Sequence, residues 1–229
     1  MPMDSACVEA IRVAGVLLQD LGHKVEEVPL PYDEWEALRS WITLAATDTA
    51  AVVAELEERY GKSRLDDGLE EVVPLLAVMG RALPAEAAGR ARHAALRMGV
   101  ALGELFETYD VLALPTMGRI PTPLEEAPPT PTEKRLLRFM ISGAGARLLR
   151  VPRVRDSVVD AQLDRLVDQV MQRTMVANLT GIPAMSVPLH RNENDLPIGV
   201  QFLGPFGGEA TLLRLAAQLE QAKPWRVRR

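Results

Sequence analysis

The side chains that could do chemistry in this 229-residue sequence are six serines, three histidines, four lysines and one cysteine. A serine hydroxyl is a weak nucleophile until a neighbouring base takes its proton, and such pairs often show as short motifs. None of the six serines lies in Gly-x-Ser-x-Gly, and none begins Ser-x-x-Lys. Motif and spacing therefore assign no catalytic residue.

The histidines and the cysteine are also not spaced as metal ligands usually are. The histidines, His23, His93 and His190, lie far apart and do not pair with Cys7 at the short intervals typical of zinc sites. Cys7 falls in a predicted helix, where a packed core thiol is favoured over a reactive one, because a reactive thiol needs a basic and partly exposed setting. We therefore expect no metal site.

One glycine-rich stretch resembles a cofactor-binding loop in part. The sequence GAGARL, from Gly143, begins like a dinucleotide loop but has Leu148 where the third glycine belongs, and no clear strand precedes it. A Gly-x-x-x-x-Gly-Lys loop is also missing. The sequence therefore predicts no cofactor.

Composition and charge exclude several classes of protein. Hydrophobic residues make up 48% of the chain and charged residues 25%, which is typical of a folded globular protein. The net charge of -5 gives no general affinity for nucleic acid or anionic membranes. The basic stretches at 147–155 and 226–229 are interpreted as solvated faces. No apolar run is long enough to span a bilayer and no leader is evident, so we expect a cytoplasmic protein.

Hydrophobic periodicity predicts several helices. Apolar positions recur at helical spacing in the first of them, where Val8, Ala14 and Leu18 should face inwards. Gly22 and Gly181 should end two of the helices in a left-handed conformation. The predicted ranges are 5–21, 32–60, 86–109 and 160–177, with a last helix after residue 208.

Strand signals predict an α/β fold in which helices flank a mixed sheet. Strands are expected near Val25, Val111, Met185 and Val200, with antiparallel pairing only in the final hairpin. The segment at about 118–134 is too rich in proline for regular structure. It could link two domains, but we favour a surface excursion within a single domain spanning 1–229.

The C-terminal hairpin carries a family resemblance. The sequence ANLTGIPAMSVPLHRNENDLPIGVQFLGPFGGEATLLRLAAQLEQAKPW closely resembles the C-terminal end of amidase-signature hydrolases, which include bacterial amidases and the glutamyl-tRNA amidotransferase A subunit. Upstream, FETYDVLALPTM and AIRVAGVLLQDLGHKVEEVPLP are similar to the strand and helix units of that family. The resemblance covers the C-terminal half of a family member.

The resemblance implies amide hydrolysis by a serine nucleophile, a second serine in a cis peptide and a lysine, all held in a Gly/Ser-rich segment of the N-terminal half. This sequence has no such segment, and none of Lys24, Lys62, Lys134 and Lys223 has the Lys-Asp context of the family. No catalytic residue is therefore transferred. The helical region WITLAATD is where the resemblance implies a substrate entrance, with Trp41, Thr43 and Thr47 as candidate lining residues, although a core aromatic at helical spacing is the favoured interpretation of Trp41.

Two hypotheses remain for the chain. It could be the C-terminal portion of an amidase that needs an N-terminal half to hydrolyse a small-molecule amide, or a non-catalytic binding or assembly module built on the same fold. Under the first hypothesis, the isolated chain exposes a sheet edge and an apolar face that the N-terminal half would cover. We then expect self-association or loose packing of the chain alone.

Overall fold

The structure, a computed structural model, describes residues 3–61, 69–70, 72–120, 135, 139–169 and 173–225. It divides into two compact units. Unit 1 comprises Met1–Leu38, Ala94–Pro121 and Leu166–Arg229, and unit 2 comprises Arg39–His93 and Thr122–Arg165. That residues 1–229 form a single domain stays a prediction. The proline-rich excursion lies outside the described residues from position 121 to 134, as does the basic tail.

Unit 1 contains a three-stranded sheet. Its strands are β1 (Leu112–Pro115), β2 (Ala184–Arg191) and β3 (Pro197–Leu203), in the order β1-β3-β2. Both pairings are antiparallel. The α/β class is confirmed, but the expected mixed sheet with antiparallel pairing only in the hairpin was wrong for the described strands. An apolar run such as VLALP indicates a buried strand and carries no information on its direction.

The β2–β3 hairpin is shaped by polar and proline residues. The Asn192 side-chain oxygen accepts hydrogen bonds from the backbone N–H groups of Asn194 and Leu196, which closes the turn. The register shifts between Val187 and His190, a β-bulge that includes Pro188. Proline lacks the N–H that a regular ladder needs, so its place at a bulge on an edge strand is expected.

One face of the sheet packs against two helices, α1 (Ser5–Asp20) and the last helix (Glu209–Ala222). Alternate β3 residues, Ile198, Val200 and Phe202, point into this core. Gly22 follows α1 with φ +89°, as predicted. The α1 residues buried against the sheet are Cys7, Ala10, Ala14 and Leu18, whereas Val8 is 48% exposed and its predicted inward position was wrong.

The opposite face is covered over only part of its area. Leu112, Leu114 and Leu203 pack there with Leu102 and Val176 in a second cluster. The last two residues come from the helices Ala85–Phe106 and Met175–Thr180. Gly181 ends the second of these helices with φ +74°, in the left-handed conformation that the sequence predicts.

Unit 2 is built from helices. The helix α2 (Glu34–Tyr60) begins where the Asp33 side chain accepts a hydrogen bond from the Glu36 N–H at 2.7 Å, and it extends into this unit. In chain order, the remaining helices of the two units are α3 (Val72–Ala82), α4 (Ala85–Phe106), α5 (Gly143–Leu148), α6 (Pro152–Gln169), α7 (Met175–Thr180) and α8 (Glu209–Ala222), of which α7 and α8 belong to unit 1. Small apolar residues bring α2 and α3 close together, as Ala46, Ala50 and Ala77 are all buried.

Two other predicted elements differ from the structure. Residues 23–30 form no strand, and the strand expected near Val25 was wrong: the side chains there are mostly exposed, and no described neighbour pairs with this backbone. The helix expected over 160–177 is instead α6, ending at Gln169, and α7, beginning at Met175. Arg173 lies in the turn before α7, where its side chain is buried in an ion pair with Glu34.

The helices were also compared with the length and hydropathy of a membrane span. In the described ranges, no single helix is long and apolar enough to cross a bilayer. The pair α3 and α4 passes only when taken together, across a bend of 103°.

Candidate functional site

The sheet face that carries Leu112, Leu114 and Leu203 has a polar half. Gly199 and Gln201 of β3 share this face with Leu203, and Ser186 of β2 lies opposite Gln201. Thr116, directly after β1, donates its backbone N–H to the Gly199 carbonyl at 3.1 Å. We call Thr116, Ser186, Gly199 and Gln201 the polar sheet patch.

Gln201 is buried without hydrogen-bond partners. The residue is 3% exposed, and neither its side-chain oxygen nor its side-chain nitrogen has a partner. A carboxamide can make up to four hydrogen bonds, two as a donor and two as an acceptor. Leaving them unmade in a buried position costs free energy, so such a group calls for a specific explanation.

The two hydroxyls of the patch fill the space above Gly199. The side-chain oxygens of Thr116 and Ser186 are 2.6 Å apart, a hydrogen bond that either can donate. A Cβ at Gly199 would lie 2.7 Å from each of these oxygens. The loop after Thr116 is held by Asp4, whose N–H donates to the Gly118 carbonyl and whose carboxylate accepts from the Ile120 N–H at 2.9 Å. The patch is therefore a fixed feature of the sheet.

A buried ion pair lies elsewhere in unit 1. The Arg173 guanidinium contacts the Glu34 carboxylate at 2.8 Å, and the two side chains are only 7% and 15% exposed. The second terminal nitrogen of Arg173 and the hydroxyl of Tyr32 are buried without partners. Burial, with a smaller contribution from Glu34, raises the pKa of Tyr32 to about 12. Sequence motifs did not indicate this cluster.

The predicted lining residues Trp41, Thr43 and Thr47 all lie on α2 within unit 2, and each is half-buried. The Thr47 hydroxyl donates to the backbone carbonyls of Thr43 and Leu44 at 2.9 and 3.1 Å. This bond to its own helix is common for threonine. A role in lining a substrate entrance stays a prediction for these three residues.

The described serines and lysines form no nucleophile and base pair. The Ser142 hydroxyl donates to the Phe139 carbonyl and accepts from the Gly145 N–H, which caps α5. Lys24 pairs with Glu26, and the Lys223 ammonium donates to the Leu189 carbonyl at 2.6 Å. Within the described residues, these contacts give Ser142, Lys24 and Lys223 structural roles.

Cys7 and the acidic residues give no sign of metal binding. The thiol is fully buried, and burial, followed by the nearby charge of Asp4, raises its pKa. Where the structure describes side chains, no group of three His, Cys, Asp or Glu residues is arranged to hold a metal ion.

Two surface clefts lie in unit 1. The larger, about 340 Å³, is lined by residues 188–191 and 223–225 at the outer side of β2. The smaller, about 250 Å³, lies along α1 and shares Lys223 with the first. Neither includes the polar sheet patch or the residues predicted to line a substrate entrance.

Comparison with curated proteins identifies relatives along almost the whole chain. The sequence profile of the Amidase family matches residues 1–213. The chain is 32% identical over 216 residues to the AmiC protein of Mycobacterium leprae, covering 91% of this chain and 38% of AmiC. It is 30% identical over 237 residues to the 6-aminohexanoate-cyclic-dimer hydrolase of Paenarthrobacter ureafaciens, covering 99% of this chain and 42% of that enzyme. The chain thus spans about two fifths of the length of these relatives.

Solved structures show the same relationship in the fold. The structure of 6-aminohexanoate cyclic dimer hydrolase complexed with substrate superposes with a TM-score of 0.70 at 26% identity, covering 99% of this chain and 43% of that one. A bacterial aryl acylamidase of the amidase signature family shares the fold, with a TM-score of 0.71 at 18% identity, over 98% of this chain and 42% of its own. The chain therefore belongs to the amidase signature family.

Proposed function

We propose that this chain is the C-terminal portion of an amide hydrolase that acts on a small-molecule amide. The observation that carries the proposal is the Amidase family match over residues 1–213, supported by 30% identity to a 6-aminohexanoate-cyclic-dimer hydrolase. The three-stranded sheet and its helices supply a scaffold in this proposal. A cytoplasmic location remains a prediction from the sequence.

The proposal places the catalytic residues outside this sequence. Its serines carry no recognisable nucleophile motif, and the described lysines bond to Glu26 and Leu189. A serine without an adjacent base is a poor nucleophile. We therefore propose that the serine and lysine of the hydrolase are supplied by an N-terminal portion, and that the chain alone is inactive.

Association with that N-terminal portion is favoured over self-association through β2. The outer edge of β2 carries the bulge at Pro188, and Lys223 donates to its Leu189 carbonyl. Proline, bulges and lysine at a sheet edge all oppose pairing with another strand. Exposed apolar side chains on other surfaces, Leu96 and Val100 on α4 and Leu213 on α8, support coverage by a larger partner.

A chimaera tests this proposal. In it, this chain replaces the matching region of the Paenarthrobacter ureafaciens hydrolase, and turnover is measured with small aryl amides and 6-aminohexanoate cyclic dimer. We expect turnover by the chimaera, none above background by the chain alone, and none by a matched chimaera whose nucleophilic serine, in the hydrolase portion, is changed to alanine.

Two results would overturn the proposal. The first is a folded chimaera without activity on any of these amides, which would favour the non-catalytic binding or assembly module. The second is amide hydrolysis by the isolated chain that disappears in one Ser→Ala variant, because this would reveal a nucleophile within the chain.

A further inference from the structure

Unit 2 carries a surface on which arginine and apolar side chains are interspersed. It is formed by the residues before α5, by α5 itself and by the start of α6, and its exposed residues are Phe139, Arg147, Leu148, Arg150, Val151 and Arg153. We call these six residues the basic face. Phe139, Leu148 and Val151 are 48%, 45% and 46% exposed, so apolar surface is open to solvent between the arginines.

The local packing fixes this face. Gly145 and Leu149, one helical turn apart, are buried, which directs the opposite side of the helix, with Arg147, outwards. The Ser142 hydroxyl caps α5 and donates to the Phe139 carbonyl at 2.6 Å. A Cβ at Gly145 would overlap that carbonyl, so α5 packs directly on the backbone that precedes it. The basic face is therefore a defined surface of the fold.

The arginines of the basic face lack carboxylate partners in the part of the chain that the structure describes. Elsewhere in the same unit, ion pairs with carboxylates hold the exposed side chains of Arg39, Arg81, Arg90 and Arg92. Arg147, Arg150 and Arg153 form no such pair with a described residue. From position 135 to 155 the sequence contains six arginines and no acidic residue. The face is therefore a positively charged patch on a chain whose net charge is -5.

An anionic lipid surface matches this combination of side chains better than a protein or a nucleic acid does. Arginines attract the headgroup phosphates, and apolar side chains enter the boundary between headgroups and acyl chains, which is how interfacial helices bind membranes. A protein that covered the face would have to supply a carboxylate for each arginine removed from water. A nucleic acid would match the charge but would leave Leu148 and Val151 without an apolar surface to contact.

We propose that the basic face binds the surface of a membrane that contains anionic phospholipids, with its arginines at the headgroup phosphates and its apolar side chains in the interface. The arginine-rich stretch alone indicates a solvated face, and the exposed apolar side chains between the arginines change that interpretation. Attachment of this kind needs no helix that spans the bilayer. It does not depend on the proposed function, because it concerns where the chain binds and not which bond is cleaved.

Vesicle sedimentation tests the charged part of the face. The full chain is mixed with vesicles of phosphatidylcholine alone, or of phosphatidylcholine with about one third phosphatidylglycerol, at low and at high salt. We expect binding to the anionic vesicles only, and weaker binding at high salt. Changing Arg147, Arg150 and Arg153 together to glutamine should lower the affinity about a hundredfold, because each arginine near an anionic surface contributes about a factor of five.

Matched variants separate this face from the rest of unit 2. Changing Arg39, Arg90 and Arg92 together to glutamine alters the net charge by the same amount and should leave the affinity within about twofold of the wild-type value. Val151→Ser should lower the affinity about fivefold, because one apolar side chain no longer enters the interface. Val52→Ser, at an exposed valine of α2, should have no effect.

Several results would overturn the inference. Equal loss of vesicle binding in the two triple variants would show that only net charge matters, and equal binding to neutral and anionic vesicles would exclude the arginines. Binding of an RNA duplex, measured by fluorescence anisotropy, without binding of anionic vesicles would identify a nucleic-acid surface instead. Vesicle binding by the chain but not by the chimaera would show that the larger protein covers the face. An inactive chimaera that binds anionic vesicles through the face would support the inference and overturn the proposed function.

Discussion

Arg173 and Glu34 form a buried ion pair, with 2.8 Å between the guanidinium nitrogen and the carboxylate oxygen. The pair joins the turn before α7 to the first residue of α2, two segments far apart in the sequence. Charges taken out of water are expensive unless each is paired, so the partners depend on each other. The pair therefore fixes where α2 begins relative to α7 within unit 1.

Removing one partner of this pair should be costly. Arg173→Met leaves the Glu34 carboxylate without its guanidinium, and we expect the free energy of unfolding to fall by about 3 kcal/mol. The double variant Arg173→Met with Glu34→Gln should recover part of that loss, because the carboxylate charge is removed together with the guanidinium that faces it. Urea unfolding of the three proteins measures both effects. Equal stability of the single and double variants would show that the carboxylate does not need the arginine.

Tyr32 should make stability depend on alkaline pH. Burial, with Glu34 adding to the effect and Arg173 opposing it, raises the pKa of Tyr32 from 10.0 to about 12. The folded state therefore keeps the phenol proton where the unfolded chain has released it. The stabilisation of the folded state that comes from keeping the Tyr32 proton is fully present below pH 10 and is lost as pH rises towards 12.

Tyr32→Phe tests this dependence. The variant should show a flatter loss of stability across that range than the wild-type chain. At neutral pH it should be neutral or slightly stabilising, because the hydroxyl has no partner. Denaturant melts at matched pH values give the comparison. An identical alkaline slope in both proteins would show that Tyr32 titrates in the folded state as it does in the unfolded chain.

The sequence predicted the helices better than it predicted the tertiary contacts between distant segments. The helical periodicity of α1, α2 and α4 and the glycine stops at Gly22 and Gly181 are local signals, and they were confirmed. The break between α6 and α7 was missed, since it accompanies burial of Arg173 against Glu34, a contact that no local pattern encodes. The segment around Val25 has strand propensity, but it forms no strand because no described strand lies beside it to pair with.

The candidate site was predictable only in part. The strands that carry Ser186 and Gln201 could be located from alternating apolar residues, but their pairing with β1 could not, because β1 and β3 are distant in sequence. The burial of the Gln201 carboxamide without hydrogen-bond partners could not be predicted, because it depends on which face of β3 is covered. Tertiary packing decides which face that is. Trp41, Thr43 and Thr47 came from the family resemblance and stay a prediction.

Gly80 should tolerate no side chain. A Cβ at this position of α3 would overlap the Ala46 carbonyl on α2 and contact the Ala50 methyl group. Gly80→Ala should therefore lower the free energy of unfolding by about 2 kcal/mol, although alanine is intrinsically the better helix former.

Gly89→Ala is the matched control within unit 2. This glycine lies in α4, and its added Cβ would meet nothing within 4 Å. The substitution should raise stability by up to about 1 kcal/mol through helix propensity alone. Thermal or urea unfolding compares the two variants. Equal effects of Gly80→Ala and Gly89→Ala would show that α2 and α3 are not in close contact in solution.

Cys7 reports whether the isolated chain is tightly packed. Its thiol is fully buried between α1 and the sheet, and burial raises its pKa, which disfavours the reactive thiolate. We expect a thiol reagent to modify the native chain at least about a hundredfold more slowly than the urea-unfolded chain. A Cys7→Ala chain that also carries Ser5→Cys, at an exposed position, provides the reference rate for an accessible thiol. If native Cys7 instead reacts as fast as this reference, the chain alone is loosely packed, as the sequence analysis anticipated for an amidase portion without its N-terminal half.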